Sequence, residues 1–235
     1  MKKPSRLTSI LPSVLGFIVV FLFSLSTQAA EKALPNAGAL TSKTNVPAPR
    51  AGTSASIKIR GQVIFPEGYP AGDVVVLYLS RGDASTTQKD APKTWTIDQK
   101  NYQFSPALTV AKPQDTLRFK NSDPDLHTAV SHSGPLKGQT ITTLKGQSHS
   151  VTLKESGYSE ILCGIHAQMR ADLLVIPTRN FIISRPDGSF EGTFNEASFP
   201  LEIQIWHPIL VSSPLVLSEA PKNGAPLKIT LTPQN

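Results

Sequence analysis

The chain has 235 residues, with 23 Lys and Arg against 17 Asp and Glu, and a formal net charge of +6 at pH 7. This excess is mild and the basic residues form no cluster, so the composition gives no indication of nucleic-acid binding. The chain contains a single cysteine, which excludes an internal disulfide and any site within the chain that needs two thiolates.

The first 30 residues have the features of an export signal. A basic start is followed by an uncharged stretch from Leu7 to Ala30 that contains an apolar run and ends in small residues. That pattern is typical of a cleavable signal peptide. We therefore expect residues 1–30 to be removed on export to the periplasm. The alternative is an uncleaved membrane anchor, because the uncharged stretch is long enough to span a bilayer.

Residues 31–55 predict a flexible linker, since they are rich in Ala, Pro, Ser, Thr and Gly and contain no aromatic residue. From residue 56 onward the pattern is that of strands. Ile57, Ile59 and Val63 alternate with polar residues, and an apolar run at 74–79 predicts a second strand.

The middle of the chain also predicts strands. Residues 95–97 and 102–104 are predicted as edge elements, and the alternation within 114–121 predicts a half-buried strand. A turn is predicted at 122–125 and a long loop at 135–147.

The chain after Pro177 again predicts short strands. Two of them, at 181–183 and 189–194, are separated by Asp187-Gly188, a pair that favours a hairpin. Alternating residues at 201–206 predict a further strand.

Four side chains form a candidate metal site. Cys163, His166 and Met169 stand at intervals of three, and His127 follows a predicted strand and turn upstream. One thiolate, two imidazoles and one thioether are the ligand set of a blue-copper electron-transfer site. Cys163 is the only cysteine of the chain, and Met169 is its only methionine besides the initiator.

The same residue types also have structural roles in other proteins. A lone cysteine or methionine usually fills space in a core, and a structural zinc site would use four Cys or His ligands rather than a methionine. A two-copper centre needs a pair of thiolates, which this chain lacks. His132 and His149 have no ligand neighbour in the sequence, and we expect them to be solvated.

Residues 93–177 resemble a cupredoxin, and the Cys-x2-His-x2-Met loop is similar to that of the amicyanins. The resemblance implies one copper ion, with His127, Cys163 and His166 as strong ligands and Met169 as a weak axial ligand. Many cupredoxins have Asn where Thr128 stands; the Thr128 hydroxyl is then the group available to tie the two ligand loops together.

The flanking segments, 56–92 and 178–235, together resemble the carboxypeptidase regulatory-like domain, a small β-sandwich. The fold class is therefore expected to be all-β: a cupredoxin Greek-key β-sandwich plus a second small β-sandwich assembled from the flanks. Neither flank offers enough strands for a core of its own. The combination resembles periplasmic methylamine-utilisation or plastocyanin-like proteins. His207 lies in the second sandwich and is expected to be structural.

These observations predict an exported mononuclear type 1 copper protein that carries single electrons between redox partner proteins. No catalytic motif is present in the sequence, so we expect no enzyme activity. Two alternatives remain open: a periplasmic protein that binds and delivers copper, and a partner-binding β-sandwich in which copper is incidental.

Overall fold

The computed structural model describes residues 55–69, 74–80, 91–197 and 199–234. The predicted signal peptide and almost all of the predicted linker lie outside these residues. The described chain is built from strands and turns, with two short 3-10 segments at Gly134–Leu136 and Lys222–Gly224, which confirms the all-β prediction. Within these ranges there is no helix of the length and apolarity that a membrane span requires.

Across the described part of the chain, eighteen strands form five sheets. In chain order they are β1 (Ala55–Ile64), β2 (Val76–Leu79), β3 (Thr94–Lys100), β4 (Gln103–Ser105), β5 (Leu108–Ala111), β6 (Thr116–Asn121), β7 (His127–Val130), β8 (Thr140–Thr143), β9 (Ser148–Thr152), β10 (Gly157–Cys163), β11 (Arg170–Val175), β12 (Phe181–Ile183), β13 (Ser189–Ala197), β14 (Leu201–Trp206), β15 (Leu210–Val211), β16 (Leu215–Leu217), β17 (Leu227–Thr230) and β18 (Thr232–Pro233).

Strands β3 to β11 form what we call the contiguous sandwich. One sheet has the order β4-β3-β6-β9 and the other β5-β11-β10-β7-β8. Alternate side chains of each strand point between the sheets, so that Ile97, Leu117, Phe119 and Leu173 are fully buried in one core. This period of two is the alternation that the sequence shows.

The remaining strands form what we call the split sandwich, with sheets β13-β1-β17 and β12-β2-β14-β16 and a small β15-β18 pair. Its first two strands precede the contiguous sandwich in the chain, and all of their partners follow it. Ile57 pairs with Phe194, and Leu77 pairs with both Ile182 and Ile205. The resemblance to the carboxypeptidase regulatory-like domain stays a prediction.

The two sandwiches pack directly on each other through a third apolar cluster, which we call the seam. Val76 of β2 lies in it with Val110, Leu174 and Ile176 of the contiguous sandwich, while Leu77 points into the core of the split sandwich. Most of β2 and the end of β11, from Leu173 to Val175, are therefore buried on both faces. This explains why they have continuous apolar runs where a half-exposed strand would alternate.

Three predictions of local structure were wrong. Residues 135–147 contain β8 as well as loop, because the β-branched residues Thr140–Thr143 pair with β7. The strand around Trp95 is interior to its sheet, since β3 lies between β4 and β6. Asp187-Gly188 does form a turn, closed by the amide of Gly188 on the carbonyl of Arg185, but the flanking strands β12 and β13 belong to opposite sheets and do not pair.

Candidate metal centre

The ends of two neighbouring strands place the first two candidate ligands. His127 is the first residue of β7 and Cys163 is the last residue of β10. These strands are antiparallel, and Cys163 pairs with Ala129. Because the start of one antiparallel strand meets the end of its neighbour, His127 and Cys163 lie at the same edge of the sheet.

The connection from β10 to β11 places the other two residues. The amide of Met169 donates to the carbonyl of His166 at 3.0 Å, and the amide of Cys163 donates to the carbonyl of Met169 at 3.2 Å. These bonds close a tight loop. A third bond, from the amide of Gly164 to the carbonyl of Thr128 at 2.8 Å, ties this loop to β7.

Three ligand atoms face one another across this edge. The two Nδ1 atoms of His127 and His166 are 3.1 Å apart, and Sγ of Cys163 lies 3.8 Å from the first and 3.7 Å from the second. A triangle with these sides has a centre roughly 2.1 Å from each corner, the usual length of a metal–nitrogen bond and about 0.2 Å short of a metal–sulfur bond. The three donors thus have the spacing that a single transition-metal ion requires.

Burial differs among the four predicted ligands. His127 is completely buried, Cys163 is 6% exposed and Met169 is 1% exposed, whereas His166 is partly exposed. The Met169 side chain lies in the same apolar cluster as Cys163. The structure therefore brings His127, Cys163 and His166 together as a triangle and buries Met169 in the same core cluster as Cys163.

The surroundings of Cys163 favour the thiolate. Burial alone would raise the pKa of the thiol, but hydrogen bonds from the backbone amides of Thr128, Ile165 and His166, together with the neighbouring ring of His127, lower it to about 6. The thiolate is the form that binds metal, so the protein presents the ligand in its binding form near neutral pH.

A carboxylate fixes the buried imidazole. Oδ2 of Asp123 lies 2.9 Å from Nε2 of His127, and the same side chain accepts the backbone amides of Asn101 and Tyr102 at 2.6 and 3.0 Å. Burial opposes ionisation of Asp123, but these bonds hold the pKa of its carboxyl below the usual range. With Nε2–H donating to Asp123, the lone pair of Nδ1 points to the metal position. The sequence pattern predicted Asp123 only as part of a turn.

An aromatic ring covers the outer side of the site. The ring of Tyr102 lies edge-on to His166, with centroids 5.0 Å apart, and to His127, with centroids 6.0 Å apart. Its hydroxyl donates to Oδ2 of Asp125 at 2.5 Å. The sequence prediction placed Tyr102 in an edge element and gave it no part in the site. The available signal was the Asn-Tyr pair between two short predicted elements.

The contact expected of Thr128 is made differently. Its hydroxyl lies 3.1 Å from that of Thr142 on β8, so the two ligand loops are tied together through its backbone carbonyl and Gly164 instead. The contact that binds the loops is thus independent of which side chain follows His127.

The other histidines lie away from this group. His132 and His149 are exposed. His207 is 5% exposed, and its Nδ1 accepts the amides of Ile209 and Leu210 at 3.3 and 3.0 Å. His207 thus stabilises the turn that follows β14.

Taken as donors, these groups fit a soft, redox-active ion. One thiolate and two imidazoles in a triangle, with a buried thioether in the same core cluster, suit copper better than zinc or a hard cation. The distances and the low pKa of Cys163 both meet the requirements of such an ion.

Comparison with known proteins gives only distant structural likenesses. No family model matches the chain, and no curated protein matches it. Amicyanin from Paracoccus versutus is similar over 42% of this chain and 96% of its own, at 17% identity and a TM-score of 0.32. A methionine-to-glutamine mutant of amicyanin in the Cu(I) form is similar over 35% and 81%, at 21% identity and a TM-score of 0.32. A copper-containing nitrite reductase from Thermus scotoductus is similar over 48% of this chain and 28% of its own, at 20% identity and a TM-score of 0.32.

Proposed function

We propose that this protein binds one copper ion through His127, Cys163, His166 and Met169 and carries single electrons outside the cytoplasm. The observation that carries the proposal is the triangle of Nδ1, Nδ1 and Sγ atoms, with sides of 3.1, 3.7 and 3.8 Å. Copper, when bound, supplies a couple that gains and loses one electron.

The chain's own residues supply rigidity. Asp123 fixes the ring of His127, and three backbone amides hold the sulfur of Cys163. Since these partners belong to buried strand ends and a closed loop, the donors keep one arrangement whether the ion is oxidised or reduced. A site that does not rearrange favours fast electron exchange over substrate chemistry.

The exposed edge of the site supports an exit for electrons through His166. Around this partly exposed ring the loop offers exposed Gly164, Ile165 and Ala167, and Leu126 before β7 is 43% exposed. Leu144, 52% exposed, follows β8 in a loop that is hydrogen-bonded to the end of β6 through Gly146 and Asn121. We assign these apolar side chains to docking of redox partner proteins.

The deep burial of three ligands favours an electron carrier over a delivery protein. His127, Cys163 and Met169 are at most 6% exposed, and an ion held by them has little access to an acceptor's ligands. Four protein donors also leave no obvious position for a substrate, so we propose no enzyme activity. Export, and so a periplasmic location, rests on the sequence of residues 1–30.

The test is to add Cu(II) to the purified full-length protein and record its visible spectrum. We expect an intense thiolate-to-copper band, its absence in Cys163→Ala, and a reversible one-electron wave in voltammetry. A colourless complex, or colour that survives Cys163→Ala, would contradict the site. Ready loss of copper to a Cu(I) chelator without such a wave would favour delivery, and no copper binding at all would favour a partner-binding sandwich.

A further inference from the structure

The turn between β3 and β4 has an unusual backbone conformation. Asn101 and Tyr102 form a two-residue hairpin loop, and both have positive φ, 56° and 57°. Loops of this kind prefer Asn followed by Gly. Asn101 suits its position, but a tyrosine in the left-handed region is a rare and unfavourable choice where glycine would be free of strain.

Two carboxylates hold this turn against the metal centre. Asp123 accepts the amides of Asn101 and Tyr102, and Asp125 accepts the Tyr102 hydroxyl. Both carboxylates belong to the connection from β6 to β7, which ends in His127. The surroundings therefore impose the conformation of Tyr102, and strain of this kind is typical of functional sites.

The strain is not explained by burial in a core, because Tyr102 is 36% exposed. What the conformation achieves is contact with the ligands: the ring meets that of His166 at an interplanar angle of 74° and a centroid distance of 5.0 Å.

His166 needs such a contact more than His127 does. His127 is buried and has Asp123 on its second ring nitrogen. The ring of His166 is partly exposed on a loop, and the described residues offer no hydrogen bond to its Nε2. The ring of Tyr102 is therefore positioned to restrict the motion of His166.

We infer that Tyr102 is a positioning residue, held by Asp123 and Asp125, that keeps His166 in the ligand triangle and so slows loss of the metal. The inference rests on the proposed copper site. Tyr102 would act through His166 and would not touch the ion.

The experiment measures transfer of Cu(I) from the full-length loaded protein to a Cu(I) chelator, together with the melting temperature of the metal-free protein. Tyr102→Gly relieves the strained turn and removes the ring, so we expect transfer about five- to tenfold faster, the size that an aromatic edge contact supports, with no fall in melting temperature. Tyr102→Phe keeps the ring and loses the hydroxyl bond, and should be intermediate. Gln103→Ala, the exposed neighbour on β4, should transfer copper at the wild-type rate.

Two results would overturn the inference. One is wild-type transfer from Tyr102→Gly; the other is faster transfer with a lower melting temperature, which would indicate general loosening of the fold. A wild-type protein without the visible copper band would instead overturn the proposed function itself, so the two failures are distinguishable.

Discussion

The carboxylate of Asp123 lies 2.9 Å from Nε2 of His127, and neither side chain is more than 5% exposed. A buried imidazole that donates to a carboxylate is a stronger electron donor through its other nitrogen. This pair therefore links a loop between two strands to the electronic properties of the proposed metal centre.

Replacing Asp123 by asparagine should raise the reduction potential. The neutral amide still accepts a hydrogen bond from His127 but makes the imidazole a weaker electron donor. The affinity of the site for Cu(II) should therefore fall more than its affinity for Cu(I). Each tenfold difference between the loss of Cu(II) affinity and the loss of Cu(I) affinity raises the one-electron potential by about 59 mV. The overall affinity for copper should fall about 10- to 100-fold. Voltammetry of Asp123→Asn tests this, with Glu202→Gln, an exposed carboxylate of the split sandwich, as the control. An unchanged potential would mean that the carboxylate only shapes the loop.

Met169 should tune the site without being needed to hold the ion. Met169→Gln should keep copper and the thiolate band but lower the potential, because a harder oxygen donor favours Cu(II); Met169→Leu should raise it. Since Met169 is 1% exposed, the glutamine variant should also lose about 1–3 kcal/mol of stability. Spectra and voltammetry of both variants decide. If Met169→Gln loses copper as completely as Cys163→Ala, Met169 is a principal ligand and delivery of Cu(I) becomes the better proposal.

Asp115 lies near the two connections between the sandwiches and should contribute strongly to the free energy of unfolding. Both of its oxygens bind the guanidinium of Arg179, at 2.5 and 2.6 Å, and it also accepts from the amide of Lys93 and from Nε1 of Trp95. Because the Asp115 side chain is 1% exposed, breaking the pair with Asp115→Asn should cost about 3–5 kcal/mol. Urea unfolding at pH 7 measures this, with the exposed Glu155→Gln as control. A loss as small as the control's would contradict it.

The same pair predicts a dependence on pH. Burial alone would raise the pKa of Asp115, but Arg179, the amides and Trp95 hold it well below its ordinary value. A depressed pKa stabilises the folded state above the unfolded value near 4 and loses that effect as pH falls below it. The difference in unfolding free energy between wild type and Asp115→Asn should therefore shrink from pH 4 downward. A constant difference over that range would exclude ionisation of Asp115 as its origin.

Fragments should separate the two sandwiches. Residues 178–235 lack β1 and β2, which are interior strands of both split-sandwich sheets, so this fragment should show no cooperative unfolding. Residues 93–177 should fold and bind copper, although with lower stability because they lack the Arg179 partner of Asp115. They should self-associate through seam residues that the fragment exposes, such as Leu174 and Ile176. The double substitution Leu174→Thr and Ile176→Thr should reduce self-association of this fragment and leave its copper band unchanged. A folded 178–235 fragment would show that the C-terminal strands are a separate module.

Sequence patterns predicted the local parts of this structure well. Alternation identified most strands, and intervals of three placed Cys163, His166 and Met169 in one loop, because both features depend on residues close in the chain. The position of His127 could be predicted for a similar reason, since a strand end followed by a turn places a side chain at the edge of a sheet.

Contacts between distant segments were not predictable in the same way. Asp123 and Tyr102 lie in separate connections that meet only after β3 and β6 pair, and the Asp115–Arg179 pair spans 64 positions. The apolar run of β2 predicted a strand, but a single sequence does not reveal what covers its second face.

The split sandwich also imposes an order of events during synthesis. Strands β1 and β2 leave the ribosome before any strand with which they pair, and Ser56 meets Asn195 only 139 positions later. In the interval their apolar faces and backbone edges have no native partners, which is a state prone to aggregation. The contiguous sandwich is made from one uninterrupted stretch of chain and can form first. Its Asp115 then binds both the amide of Lys93 and the guanidinium of Arg179. That contact brings the two ends of the contiguous sandwich together and so shortens the loop that must be ordered when the later strands are made. The contiguous sandwich thus acts as the scaffold on which the flanking strands assemble.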